Sequence, residues 1–250
     1  MKNKAIKACL RFEFMMFCRN FITAFFLLIF PAMMLIIFGS IYGNKPNALY
    51  RGFGAVDMFI PAYSGIVISV TGLMNIPLTL CEYREKGIFK RYRATPSDPS
   101  SVILAQLIIN SVMTTIGMAF LIIIGKLVYQ VKLPANIVQC LLLFLISIFC
   151  IFAIGFFIGG LAPGMKAANS IAYLIFFPML FLSGATIPYE ILPPAARQVS
   201  KLFPLTYTVS AMKSVWNGGK ISENINALLL LLVFGAVFWT LSRYAFKWET

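Results

Sequence analysis

The chain has 250 residues, 60% of them hydrophobic and 12% charged, with a mean hydropathy of +0.87 and a formal net charge of +13. Apolar runs of about 20 residues recur, the length that a bilayer's hydrocarbon layer requires, which excludes a soluble globular enzyme and makes this an all-α polytopic membrane protein. The basic residues lie beside those runs, where topology and anionic lipid account for them, so membrane lipid is an expected partner and nucleic acid is not.

The N-terminal arm, 1–20, carries Lys2, Lys4, Lys7, Arg11 and Arg19. It lacks a short apolar core followed by a small-residue cleavage site, so no removable signal peptide is expected. On a helix, Ile6, Leu10, Phe14 and Phe17 share one stripe and Lys4, Lys7 and Arg11 the stripe beside it, the pattern of a helix lying in the membrane interface. Six membrane spans are predicted next: Phe21 to Tyr42, Met58 to Leu80, Val102 to Ile124, Ile137 to Leu161, Ser170 to Ile187 and Ile225 to Ser242. Pro31, Pro61, Pro77 and Pro178 fall inside them and predict kinks rather than breaks, because neighbouring helices can satisfy the carbonyls that proline leaves free.

The second span has a polar stripe, Ser64, Thr71, Asn75 and Thr79, within about 80° of arc at helical spacing. In lipid such a face seeks either another helix or a translocation path. Gln106, Asn110 and Thr114 form a similar stripe on the third span, read as packing, as are Gly155, Gly159 and Gly160 in the fourth.

Between the second and third spans stands "EYREKGIFKRYRATPSDP", with five basic side chains from Arg84 to Arg93. A loop that only fixed topology would be basic too, but it would need no apolar face. Over a helix from Tyr83 to Arg93, Ile88, Phe89 and Tyr92 gather on one side. That helix is expected to stop at Ala94, since Thr95 precedes Pro96, and the next to start with Asp98 as N-cap and Pro99 at its first position. Further along, the prolines of 188–219 and the run Leu205, Val209, Met212 and Trp216 predict re-entrant helices that dip into the membrane without crossing.

Of the 21 lysines and arginines, thirteen fall on the side of the N-terminus and this basic segment, and eight on the other. Both termini are therefore expected in the cytoplasm. The chain has no histidine and its five cysteines show no metal-type spacing, so neither a catalytic residue nor a metal site is expected. Spans almost free of charge argue against an ion-coupled transporter or channel. There is no phosphate-binding GxxxxGK[ST] loop, so the chain holds no nucleotide by that motif.

The basic segment resembles the coupling region of the membrane subunit of a type 2 ATP-binding-cassette (ABC) exporter, and "FPMLFLSGATIPYEILPPAARQVSKLFPLTYTVSAMKSVWNGG", Phe177 to Gly219, resembles that family's exit region. The topology fits as well, so the resemblance covers nearly all of 1–250 as a single transmembrane domain, with 1–20 an interfacial helix, 83–95 a coupling helix and 188–219 re-entrant. It implies a dimer with a second copy or a related permease, and a separate ABC ATPase subunit that binds ATP and Mg, this chain holding no cofactor. It assigns coupling to Glu82, Arg84, Gly87, Ile88, Phe89, Lys90, Arg91 and Tyr92, the apolar trio filling a groove on the ATPase. It assigns an extracellular gate to Ser183, Gly184, Pro188, Pro204, Leu205, Thr206 and Tyr207. Between spans two and five it places a substrate path, implying Thr71 and Asn75 with Phe176, Phe177 and Phe181 opposite. The sequence departs from the pattern at Phe203, where the family often has asparagine. The aromatic, nearly charge-free interior favours a hydrophobic or amphipathic cargo such as a drug, antibiotic or lipid; polysaccharide or lipid-linked glycan export is the alternative, and a channel or membrane scaffold would leave the paired motifs unexplained.

Overall fold

The computed structural model describes residues 2–46, 52–93 and 100–245, with the side chains of 2–5, 91–93, 100–101 and 190 outside the description. Among the described residues there is no strand, and six helices are long and apolar enough to cross a membrane. These are Phe21–Tyr42, Ala55–Glu85, Val102–Tyr129, Ile137–Leu161, Met165–Leu182 and Ile221–Ala245.

The first and fourth spans match their predicted bounds; the second is longer at both ends and the third runs to Tyr129. The fifth is displaced toward the N-terminus, starting at Met165 because the Glu85 carboxylate accepts the Met165 N–H at 2.7 Å, and ending at Leu182 because Gly184 turns the chain at φ +83°.

Two of the four intramembrane prolines explain a local widening. Spans one and two switch to π-helix over Phe25–Ile29 and Val70–Asn75, one turn ahead of Pro31 and Pro77. A proline ring clashes with the carbonyl four residues back, here at Leu27 and Leu73, and the wider turn relieves that clash without ending the helix.

The second span is the axis of the bundle, 89% buried over its most apolar window, followed by the fourth at 67%; the other four spans are 22–28% buried. Spans two and four meet backbone to backbone. A Cβ added at Gly155 would fall on the Gly72 carbonyl, and one at Gly159 would press on Leu80 and Pro77, so the small-residue stripe is a packing surface as expected.

The N-terminal helix, Lys2–Arg19, lies against the third span. Its buried face is Cys9, Glu13 and Phe17, while Phe14 is half-exposed. The expected apolar stripe is therefore rotated, and it carries a carboxylate. At the other end of the bundle, Pro194–Ser200 and Pro204–Trp216 form two short helices between spans five and six. The second, at 13 residues, is too short to cross, and it buries Leu205, Val209, Met212 and Trp216 against the bundle.

Candidate functional site

At the basic end, the second span does not stop at its predicted bound, Leu80. It continues as helix to Glu85, turns at Gly87 with φ +65°, and restarts as Ile88–Arg93. The expected single helix from Tyr83 is thus two pieces, since the positive φ at Gly87 cannot be helical. Ala94 to Pro99, with the expected stop and the Asp98 cap, lie outside the described residues.

The break reorients the apolar trio. Phe89 is 1% exposed and packs edge-on against Tyr83 at 6.0 Å, with Phe12 of the N-terminal helix on the same tyrosine at 6.0 Å. It anchors the short helix to its own chain rather than facing outward. Ile88 is half-buried and Lys90 exposed, while the side chains of Arg91 and Tyr92 lie outside the described residues.

The charged residues beside it divide in two. Glu82 and Lys86 form an exposed i,i+4 ion pair. Arg84 is buried, its guanidinium donating to the carbonyls of Gly159 at 2.6 Å and Ala162 at 2.8 Å. Those carbonyls belong to the last turn and C-cap of the fourth span, where a helix leaves acceptors open and its dipole favours a cation. With Glu85 capping the fifth span, the end of span two holds the loop between spans four and five from both sides. Glu85 carried no signal in the sequence beyond its charge, because its partner is 80 residues away.

Within the bundle, Asn75 links three spans: it accepts from the Thr23 hydroxyl at 2.9 Å and donates to Asn110 Oδ1 at 2.8 Å. Asn110 in turn donates to the Gln106 carbonyl, so the polar stripes of spans two and three do face each other. Thr71 is fully buried and bonded to the Val67 carbonyl of its own helix. Phe176 is in the core, whereas Phe177 and Phe181 are each 47% exposed and stack in a row with Tyr173. In one chain, the two halves of the expected path look different ways: Asn75 toward spans one and three, the phenylalanine row outward from span five.

At the far end, Ser183, Gly184, Pro188, Thr206 and Tyr207 line one cavity of about 650 Å3, together with Met58 and Phe59 of the second span. Pro204 and Leu205 are buried behind it, Leu205 beside Gly65. The hydroxyls are engaged, Thr206 with the Ser200 carbonyl at 2.7 Å and Tyr207 with that of Lys201 at 2.9 Å, and Lys213 donates to the Gly184 carbonyl. Phe203 occupies the N-cap of Pro204–Trp216 with no side-chain bond, and the Thr206 N–H is taken by the Phe203 carbonyl instead. Asp57, which the sequence placed only at a span edge, is buried and accepts from the N–H groups of Gly54 and Lys132 and the Asn44 amide. It ties the loop between spans one and two to the loop between spans three and four.

No cluster of three metal-ligating side chains occurs among the described residues. The profile of the ABC-2 type transporter family matches residues 4–217. The inner membrane transport permease YhhJ of Escherichia coli (strain K12) is 25% identical over 205 residues, 81% of this chain and 54% of the relative. The putative transport permease ycf38 of Porphyra purpurea is 24% identical over 227 residues, covering 82% and 77%. The probable multidrug ABC transporter permease YbhS of Escherichia coli (strain K12) is 23% identical over 199 residues, covering 78% and 51%. The chain thus spans about half the length of the two Escherichia coli relatives.

Proposed function

The chain belongs to the ABC-2 type transporter family, and from that premise we propose that it is the permease of an ATP-driven exporter whose ATPase is a separate subunit. Its six long apolar helices make it a multi-pass membrane protein, and the permease role rests on the family and on relatives named as transport permeases. In the proposed reading both termini and the basic end face the cytoplasm of a bacterial inner membrane, and ATP and Mg are held by the partner. The short helices after span five dip into the outer leaflet around the far cavity. The exposed row Tyr173, Phe177 and Phe181 faces a second permease, and the cargo is hydrophobic or amphipathic, supported by that aromatic row and by spans almost free of charge.

The observation that carries this reading is the Arg84 clamp. An ATPase that grips Lys90 and the Glu82–Lys86 pair pushes on a helix that cannot move alone. Phe89 transmits the push to Tyr83 and the N-terminal helix, and Arg84 transmits it to the end of span four. Span two, helical from Ala55 to Glu85, carries the displacement to the far cavity, which it helps to line. Closure of two ATPase subunits thereby becomes a movement of spans rather than of a loop.

The test is ATP hydrolysis by this chain co-expressed and co-purified with an ABC ATPase subunit from the same genome, in lipid nanodiscs. Arg84→Gln keeps the subunits together in pull-down and lowers transport-linked hydrolysis about tenfold, the effect of losing a charge-assisted bond in the moving part. Unchanged coupling in Arg84→Gln contradicts the clamp, and no co-purifying ATPase contradicts the exporter reading.

A further inference from the structure

A second cavity, of about 570 Å3, opens between the N-terminal helix and spans one to three, remote from the far cavity. Met16, Phe17 and Ile109 give it apolar walls; Asn75, Asn110 and Glu13 supply its polar groups. The two amides are already satisfied, Asn75 by Thr23 and Asn110, and Asn110 by the Gln106 carbonyl. Glu13 is different. It is 4% exposed, its Oε1 has no partner, and it lies beside the Tyr83 hydroxyl.

A buried carboxylate oxygen with no donor is costly, and its sign selects what completes it. The other charges around the cavity do not: Lys86 at the rim is paired with Glu82, and Arg19 stands exposed at the mouth. The third span contributes Ile109 and the Asn110 amide and no charge. An anion would meet a carboxylate, and a neutral apolar molecule would leave Oε1 unsatisfied. A cation bearing an N–H on an apolar body fits both parts.

We propose that this cavity binds the protonated amine of an amphiphilic molecule, with the Glu13 carboxylate as counter-ion and Met16, Phe17 and Ile109 around the apolar portion. The site deepens the permease reading by naming a class of cargo and a place where it is taken up at the basic end; binding itself does not depend on that reading. Burial pushes the Glu13 carboxyl up to about 7, the Tyr83 hydrogen bond pulling the other way. The empty site therefore takes up a proton near neutrality, and the incoming ammonium displaces it. Affinity rises as pH rises through about 7, for as long as the amine stays protonated.

The experiment is equilibrium binding of tritiated propranolol, an amphiphilic amine, to the purified full chain in phosphatidylcholine nanodiscs. One saturable site per chain is expected, weakened about tenfold in Glu13→Gln, with the native pH dependence absent from that variant. Propranolol also protects Thr79→Cys, which lines the cavity, from maleimide in a background lacking the native cysteines. That readout keeps Glu13 intact and stands even if Glu13→Gln fails to fold. Replacing phosphatidylcholine by phosphatidylethanolamine separates the sources: competition assigns the site to the headgroup amine, and none assigns it to a free amphiphile. Equal affinity and pH profile in Glu13→Gln, or an unprotected Thr79→Cys, overturns the site. Intact binding with no transport counts against the permease reading and leaves the site standing.

Discussion

Spans two and five are the two helices between which the family resemblance places a substrate path, and they are built in opposite ways. Span two is 89% buried, meets span four backbone to backbone at Gly72 and Gly155, and bonds its polar side chains to spans one and three or to itself. Span five is 28% buried and leaves a stacked row of aromatic rings on its open face. One is finished within a single chain; the other presents a surface that lipid or another protein must complete. A polar stripe in a membrane helix is thus no guide to a pathway until its partners are known, and here Asn75 joins three helices.

The sharpest break in that contrast comes from Gly155→Leu. A side chain there drives into the Gly72 carbonyl, so overpacking should cost about 3 kcal/mol in unfolding measured in detergent and SDS mixtures. A near-neutral result would mean that spans two and four do not meet there. Asn75→Ala removes the bonds to Thr23 and Asn110 and should cost about 1–2 kcal/mol in the same assay, the range of interhelical hydrogen bonds in membranes. A loss of transport with stability unchanged would instead return Asn75 to the pathway. Phe177→Ala with Phe181→Ala has the smallest expected effect on the isolated chain, under about 0.5 kcal/mol, because exposed sites contribute little. The same pair should weaken self-association measured by energy transfer between labelled chains, and a large stability loss without a change in association would show that the row is internal packing.

The bundle was readable from sequence because its signal is local. Spans three and four have no charge over their predicted lengths, and span four, Ile137–Leu161, matches to the residue. Prolines predicted kinks, but what stands ahead of Pro31 and Pro77 is a widening to π-helix at Phe25–Ile29 and Val70–Asn75. Five of the seven residues expected at the gate meet around the far cavity.

What escaped is what depends on partners far along the chain. Phe89 sits on a predicted apolar face, but periodicity cannot say whether a face turns in or out, and the Gly87 break decides that. Arg84 was expected at the coupling face and Glu85 was assigned nothing, whereas both hold the loop between spans four and five. Glu13 stands one residue before the stripe residue Phe14, and the side of the helix that packs was set by the third span rather than by the arm's own pattern.

The central claim is that Phe89 fixes the short helix to the permease while Lys90 stands on the face that an ATPase grips. The direct measurement is site-specific crosslinking in cells expressing the chain and its ATPase, from Phe89→Cys and Lys90→Cys in a background lacking the native cysteines. Lys90→Cys should capture the ATPase, whereas Phe89→Cys should not, and paired with Phe12→Cys should join instead to the N-terminal helix of its own chain. Capture of the ATPase from Phe89→Cys and not from Lys90→Cys would contradict the account.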